Sequence, residues 1–273
     1  MKIFHYTTIE TLALILKHKT IRFNRLDKVD DLEESMYGSG STNMKLSKYV
    51  FVSCWTKTEQ ENLSLWKMYA GYDGVRIAME EDMFVSYPNE PFNTFDSFYE
   101  KLFYWGKDYV ADQYTNKVEL HKVYYIDDPQ QKAKDLLEYN GKEISIKTTD
   151  LGLFKRREWA VQDEYRYKIQ VLPLNYDYIH NYNNEQLNSM DRMELTKANF
   201  ELTPAIVKSF CDDYVIDTDY IDIQLKHDAL NRIEVKMGPL TTEADKIIVD
   251  SLLRDYPYSR VENSFFKGKI KKG

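Results

Sequence analysis

The sequence contains very little cysteine, only Cys54 and Cys211 among 273 residues. Two cysteines exclude a disulfide-rich scaffold and a cysteine-rich zinc site. No run approaches the ~18 consecutive apolar residues of a membrane span, and the first residues form no apolar signal segment. We therefore expect a cytoplasmic protein that makes no membrane contact.

The chain also lacks positive charge and the familiar motifs of nucleotide and hydrolase sites. Lys and Arg total 37 against 44 Asp and Glu, so the net charge is −7. This balance excludes a uniformly basic surface of the kind that holds duplex DNA. There is no glycine-rich dinucleotide fingerprint, Walker loop, nucleophile elbow or HExxH helix. The five histidines are scattered, so we expect no metal site.

Aromatic residues, in contrast, are abundant. They make up 14% of the chain, and 22 residues are tyrosine. Tyrosine combines a large apolar ring with a polar tip, which suits half-buried sheets and stacking clefts. With 43% hydrophobic and 30% charged residues, the composition predicts an ordered protein with a sizeable core. It does not identify a function.

Apolar periodicity predicts strands and helices in an irregular order. The predicted strands lie at 3–7, 20–24, 49–55, 74–79, 164–171, 232–237 and 264–270, and the predicted helices at 9–16, 62–69, 129–139 and 242–254. Without a regular βαβ rhythm, this order favours one α+β domain over 1–273, with a continuous or split mixed sheet flanked by helices. We expect 81–150 to be an insertion that forms a wall or lid.

Several polar residues have an ordinary structural interpretation. The spacing of Thr7 and Glu10 is that of a helix capping box. The acidic run around Asp30, Asp31 and Glu34 is typical of a solvated helix N-terminus. Glu164 and Arg166 share one strand face, where a solvated charge ladder is one interpretation. His5 has an equally ordinary interpretation as a half-buried structural histidine.

Four segments together resemble the bacterial family catalogued as domain of unknown function 2971. They lie at 4–34, 53–79, 155–169 and 233–253, in the order that the family shows. The first contains the strand–helix–strand opening FHYTTIETLALILKHKTIRF, and the third is KRREWAVQDEYRYKI. The acidic turn departs from the family, because Leu32 stands where the family usually has proline. The region 81–150 is largely unmatched.

A second resemblance is to ADP-ribosyltransferases, in which a strand with an H-x-T or H-Y pattern precedes a leucine-rich helix. A glutamate on a late strand completes the active centre of those enzymes. The resemblance implies an ADP-ribosyltransferase-like fold, NAD as substrate and Glu164 as the catalytic carboxylate. His5 and Thr7 would contact the nicotinamide half of NAD. The remaining candidate ligand contacts are Tyr6 and Tyr69 for stacking, and Arg22, Arg76 and Arg166 for the pyrophosphate.

These residue types match the chemistry of NAD cleavage. Breaking the bond between nicotinamide and ribose generates an oxocarbenium-like cation, as glycoside cleavage does. A fixed carboxylate such as Glu164 stabilises that charge, and it is also a candidate base for the acceptor. The sequence thus predicts an NAD-consuming transferase or glycohydrolase that modifies a macromolecule, either protein or nucleic acid. Toxin or phage-defence biology and a regulatory partner are part of this hypothesis.

Two other function classes stay open from the sequence. One is a non-catalytic module that binds a nucleotide or a partner in an aromatic cleft. The other is a metal-dependent nuclease, in which several acidic residues would gather around a divalent cation. Those acidic residues are Asp30, Asp31, Glu34 and Glu164.

Overall fold

The computed structural model describes residues 1–34, 45–85, 103–112, 118–134, 137–139, 144–146 and 149–271. The strands are β1 Lys2–Thr7, β2 Thr20–Arg25, β3 Val50–Thr56, β4 Val75–Glu80, β5 Phe103–Trp105, β6 Tyr109–Asp112, β7 Leu120–Lys122, β8 Tyr124–Ile126, β9 Leu137–Tyr139, β10 Ile144–Ile146, β11 Phe154–Arg156, β12 Glu164–Pro173, β13 Tyr220–Gln224, β14 Glu234–Met237 and β15 Arg260–Asn263. The helices are α1 Ile9–His18, α2 Leu63–Tyr69, α3 Pro129–Lys134, α4 Asn184–Ser189, α5 Arg192–Cys211, α6 His227–Asn231 and α7 Glu243–Leu252.

Eleven strands form one mixed, mostly antiparallel sheet. The order along its main path is β15–β14–β4–β1–β3–β12–β6–β5, with β2 and β13 branching from β3, and β7 branching from β12. β14 and β15 run parallel. The strands β8 and β11 form a separate parallel pair, and β9 and β10 a separate antiparallel pair. The architecture is a single α+β domain.

The edge of β3 that faces β1 and β2 opens a gap in this sheet. β3 pairs along its whole length with β12 on its other side. On the open side, Thr56 pairs with Phe4 of β1, whereas Val52 and Phe51 pair with β2. Among the described residues, 53–55 have no strand partner on that side. A gap therefore separates β1 from β2, although both remain attached to β3.

The short connection from β1 to β2 is α1, which lies beside the gap. Thr8 caps its N-terminus, because the Thr8 hydroxyl accepts a hydrogen bond from the backbone N–H of Thr11 at 3.2 Å. The expected capping box at Thr7 and Glu10 is therefore wrong by one residue, and Thr7 is the last, buried residue of β1. The left-handed conformation of Lys19 ends the helix and turns the chain into β2.

Packing against β1 fixes the position of α2. Asn62 caps the helix by accepting from the backbone N–H of Ser64 at 2.8 Å. The ring of Trp66 is fully buried and meets the ring of Tyr6 edge-on, with 4.9 Å between centroids. The Tyr6 hydroxyl accepts from the backbone N–H of Asn62 at 2.9 Å. These contacts determine where Tyr69, at the end of α2, projects.

Most predicted strands are confirmed to within about two residues, but two elements differ. The stretch 129–139 is not one helix, because α3 ends at Lys134 and 137–139 form β9. The last strand is Arg260–Asn263 rather than 264–270, which form turns. Within 81–150, β6 and β7 pair with β12 and so belong to the main sheet.

Candidate active site

A cleft of about 480 Å³ opens at the gap between β1 and β2. A volume of this size is typical of small-ligand sites. Its lining comes from both ends of the sequence. Seven of the eight residues that the sequence analysis proposed as catalytic or ligand-binding line this cleft: His5, Tyr6, Thr7, Arg22, Tyr69, Glu164 and Arg166. Arg76 is not part of the lining; it is buried and donates to the carbonyl oxygen of Glu59.

His5 presents a neutral imidazole to the cleft. Its Nδ1 lies 2.8 Å from the carbonyl oxygen of Cys54, on the open edge of β3. Because a carbonyl oxygen only accepts, Nδ1 carries the proton and Nε2 is the acceptor of the neutral ring. Burial lowers the pKa of His5 below its ordinary 6.5, and the bond to Cys54 only partly opposes this shift. The ring also packs against Trp55, with 5.1 Å between centroids.

Four buried charges form a network at the floor of the cleft. Arg166 donates to both carboxylate oxygens of Glu34 and to both oxygens of Glu164. Lys155 Nζ lies 3.2 Å from Glu164 Oε2 and 3.6 Å from Glu34 Oε2. None of the four residues is more than 5% exposed. Two cations thus face two carboxylates, and such pairing is the condition under which buried charges are tolerated. Burial raises the pKa of Glu34, and the charge of Arg166 opposes this shift only in part.

Arg166 is fully occupied by this network. A guanidinium has five N–H donors, and Arg166 makes five hydrogen bonds to protein acceptors, four to Glu34 and Glu164 and one to the carbonyl oxygen of Gly152 at 2.7 Å. It therefore holds Glu164 in place, and we do not assign it to a ligand pyrophosphate.

Glu164 is an ionised carboxylate with nearly every acceptor position in use. Burial by itself raises its pKa, but the charges of Arg166 and Lys155 outweigh burial and hold the pKa at about 2. The thiol of Cys54 also donates to this carboxylate, and burial raises the pKa of that thiol. A thiol is a weak donor. A ligand hydroxyl would therefore replace Cys54 more easily than either cation.

A chain of hydrogen bonds connects this floor to the mouth of the cleft. Lys155 Nζ donates to Gln162 Oε1 at 2.8 Å, and Gln162 Nε2 donates to the Tyr69 hydroxyl at 2.6 Å. Tyr69 in turn donates to Asp30 Oδ2 at 2.8 Å. Burial, followed by the charge of Asp30, raises the pKa of Tyr69, so its hydroxyl stays protonated. All four side chains line the cleft.

Arg22 and Asp222 form an ion pair in the lining of the cleft. Arg22 Nε donates to Asp222 Oδ1 at 3.0 Å, and its guanidinium lies 3.5 Å from the ring centroid of Tyr220. Both charged groups are partly exposed and line the cleft. The hydrogen bond to the Asp222 carboxylate, together with the charge of that carboxylate, raises the pKa of Arg22, which stays a cation.

Two structural interpretations from the sequence are wrong. Glu164 and Arg166 do not form a solvated ladder, because both are buried. Glu34 and Asp31 do not solvate a helix end either: Glu34 is 1% exposed and paired with Arg166, and Asp31 is 4% exposed. In the described part of the chain, no group of three or more His, Cys, Asp or Glu residues could hold a metal ion.

Sequence reasoning missed Lys155 and Gln162. Lys155 lies on β11, a three-residue strand outside the main sheet, and Gln162 ends a short 3-10 helix at Arg157–Gln162. Neither element has a periodic apolar pattern. Both residues are close to Glu164 in the sequence, which is a weak sign that they are also close in space. The chain reverses direction at Asp163, which has a positive φ of 42°, and this turn brings them back to Glu164.

No protein-family model, no curated protein sequence and no solved structure matches this chain. Within the described ranges, no helix combines the length and hydrophobicity needed to cross a membrane.

Proposed function

We propose that the cleft binds NAD and that the protein is an ADP-ribosyltransferase-like enzyme of the domain of unknown function 2971 type. One observation carries the proposal. His5 and Glu164, which the resemblance assigns to the nicotinamide ribose and to catalysis, line the same cleft although 159 positions of sequence separate them. A cleft lined by a neutral histidine, an ionised glutamate and a tyrosine ring offers the contacts that this half of NAD needs.

Each side chain has a defined role in this proposal. His5 Nε2 accepts a hydrogen bond from a ribose hydroxyl or from the carboxamide N–H of nicotinamide. Tyr69 forms an aromatic wall for the nicotinamide ring. Thr7 contacts the same half of the ligand, and Arg22 pairs with the pyrophosphate at the rim. Tyr6 holds α2 and thereby positions Tyr69.

Glu164 stabilises the transition state. As the bond between nicotinamide and ribose breaks, positive charge develops on the ribose. A carboxylate that is fixed before the reaction stabilises this charge without reorganising. The network of Arg166 and Lys155 supplies this fixation, since both cations hold the carboxylate in one orientation. The acceptor in this proposal is a protein or nucleic acid, in a toxin or phage-defence setting with a regulatory partner.

The test is release of free nicotinamide from NAD by the purified protein, with Glu164→Gln as the variant. We expect release by the wild type and a loss of about 100-fold or more in the variant. Asp108→Asn is the matched control, because Asp108 is a buried carboxylate outside the cleft. Equal release by Glu164→Gln and the wild type would sink the assignment of Glu164.

A second candidate, a non-catalytic nucleotide-binding module, has its own supporting observation. Donors from Arg166, Lys155 and Cys54 already engage the Glu164 carboxylate. A protein that only binds its ligand does not need a carboxylate with unoccupied oxygens. This alternative requires that NAD raises the melting temperature while no nicotinamide is released under any acceptor condition. Release of nicotinamide rules it out.

A further inference from the structure

Two carboxylates of the cleft have different surroundings. Glu164 is buried and paired with two cations, whereas Asp30 is exposed at the mouth. Enzymes divide acid–base work between carboxylates by such differences in environment. We infer that Asp30 is the general base that takes the proton of the incoming acceptor, and that Glu164 provides only fixed charge. This inference rests on the proposed function.

Glu164 is poorly suited to accept a proton. Its oxygens receive hydrogen bonds from Arg166 and Lys155, so a proton would have to add to a carboxylate that two cations already hold. A carboxylic acid in that position would leave the two buried cations with one negative charge fewer, which is costly. The pKa of about 2 expresses the same resistance to protonation. An efficient base has a pKa nearer to the working pH.

Asp30, in contrast, has an acceptor position to offer. Tyr69 donates to its Oδ2 at 2.8 Å, while Oδ1 has no hydrogen-bond partner among the residues that the structure describes. The donors and acceptors along these hydrogen bonds are fixed. Gln162 donates to the Tyr69 hydroxyl, so the proton of that hydroxyl points towards Asp30. Tyr69 therefore orients the carboxylate while leaving one oxygen open to the cleft.

A chain of hydrogen bonds connects Asp30 to Glu164 along the lining of the cleft. Between them stand Tyr69, Gln162 and Lys155, each in hydrogen-bond contact with the next. A ribose held against Glu164 thus has Asp30 nearer to solvent, where an acceptor enters. The other charged or titratable groups that line the cleft are His5, Tyr6, His18, Arg22, Lys28, Cys54, Arg166 and Asp222.

The reaction balances with this assignment. The bond from ribose C1′ to the pyridinium nitrogen breaks, and its electron pair stays with nicotinamide, which leaves as a neutral molecule. An O–H or N–H group of the acceptor, or water, forms the new bond to C1′. Its proton passes to the Asp30 carboxylate and from there to solvent. No oxidant, reductant or metal is needed.

The test is Asp30→Ala assayed with and without sodium formate, using NAD labelled in its adenylate half. Total cell protein, total RNA and water alone serve as acceptors. We expect transfer or hydrolysis to fall about 100-fold or more, and the Kd for NAD to stay unchanged. Formate should restore turnover because it supplies a carboxylate in the vacated space, whereas chloride should not. Asp82→Ala, an exposed aspartate outside the cleft that pairs with Lys226, is the control.

The outcomes separate this inference from the proposed function. Wild-type turnover in Asp30→Ala would overturn the inference and leave the function intact. A loss that formate cannot restore would assign Asp30 a structural role and would also overturn it. Absence of nicotinamide release from the wild type under every acceptor condition would overturn both.

Discussion

Arg166 donates to Glu164 from two residues away on the same face of β12, and the same guanidinium donates to Glu34 from another part of the chain. Arg166 and Glu164 are neighbours on one face of β12. By also binding Glu34, Arg166 connects β12 to the turn after β2 through buried ion pairs. The turn bearing Asp30 is held by this junction and by the ion pair of Glu33 with Arg156.

Arg166→Met should destabilise the fold severely. The substitution leaves Glu34 and Glu164 buried with Lys155 as their shared cation, and breaking a buried ion pair costs about 3–5 kcal/mol. Arg22→Met is the comparison, because the pair of Arg22 with Asp222 is partly exposed and contributes about 1 kcal/mol or less. Urea denaturation measures both, and equal losses would show that the buried network is not a stabilising junction.

The main sheet was predictable because its strands carry a clear signal. The continuous apolar run at 49–55 predicts a buried strand, and the alternation of residue types at 164–171 predicts another; the structure has strands at Val50–Thr56 and Glu164–Pro173. The convergence of His5 with Glu164 was predicted only through the resemblance, since no pattern in the sequence specifies that β1 and β12 flank the same strand.

The supporting side chains of the cleft were not predictable in the same way. Burial of Glu34 depends on Arg166, which lies 132 residues further along the chain. From the local sequence alone, an acidic run is expected to be exposed to solvent. The ion pair with the distant Arg166 buries Glu34 in spite of this expectation. The contribution of Asp30 likewise depends on Tyr69, whose position follows from the packing of Trp66 on Tyr6.

Stability should fall as the pH drops below 6.5, and His5 should contribute to this fall. Burial lowers the pKa of His5 in the folded state, so the unfolded chain binds a proton at a higher pH than the folded chain does. Between the two pKa values, protons therefore favour unfolding. The free energy of unfolding of His5→Gln, measured from pH 7 to pH 5, should depend less on pH than that of the wild type. A parallel dependence would contradict a neutral, buried His5.

Gly74→Ala should be strongly destabilising because two backbone segments approach it closely. A Cβ at this position would lie 2.3 Å from the carbonyl oxygen of Thr7 and 2.7 Å from that of Ala70. Overpacking of this kind costs about 1–3 kcal/mol, here with movement of the end of β1. Gly268→Ala is the control, because its Cβ would meet nothing within 4 Å and only its positive φ is unfavourable. Thermal unfolding should show the larger loss for Gly74→Ala.

Asn62→Ala should weaken ligand binding through α2 as well as reduce stability. Asn62 caps α2 by accepting from Ser64, and its Nδ2 donates to the carbonyl oxygen of Val161 at 2.8 Å. The residue thereby ties the helix that carries Tyr69 to the segment that carries Gln162. Loss of a cap costs about 1 kcal/mol, and the lost tie should add to this cost.

Asn183→Ala distinguishes the two effects of the Asn62 substitution. Asn183 caps α4 with a capping box and lies outside the cleft, so its removal costs a cap of the same type. Both substitutions should lower the melting temperature. The loss should be somewhat larger for Asn62→Ala, because Asn62 also binds the carbonyl oxygen of Val161. Weaker binding of NAD should appear only in Asn62→Ala, because only that cap holds the helix whose last residue, Tyr69, lines the cleft. Equal affinity for NAD in both variants would mean that α2 is not a wall of the binding site.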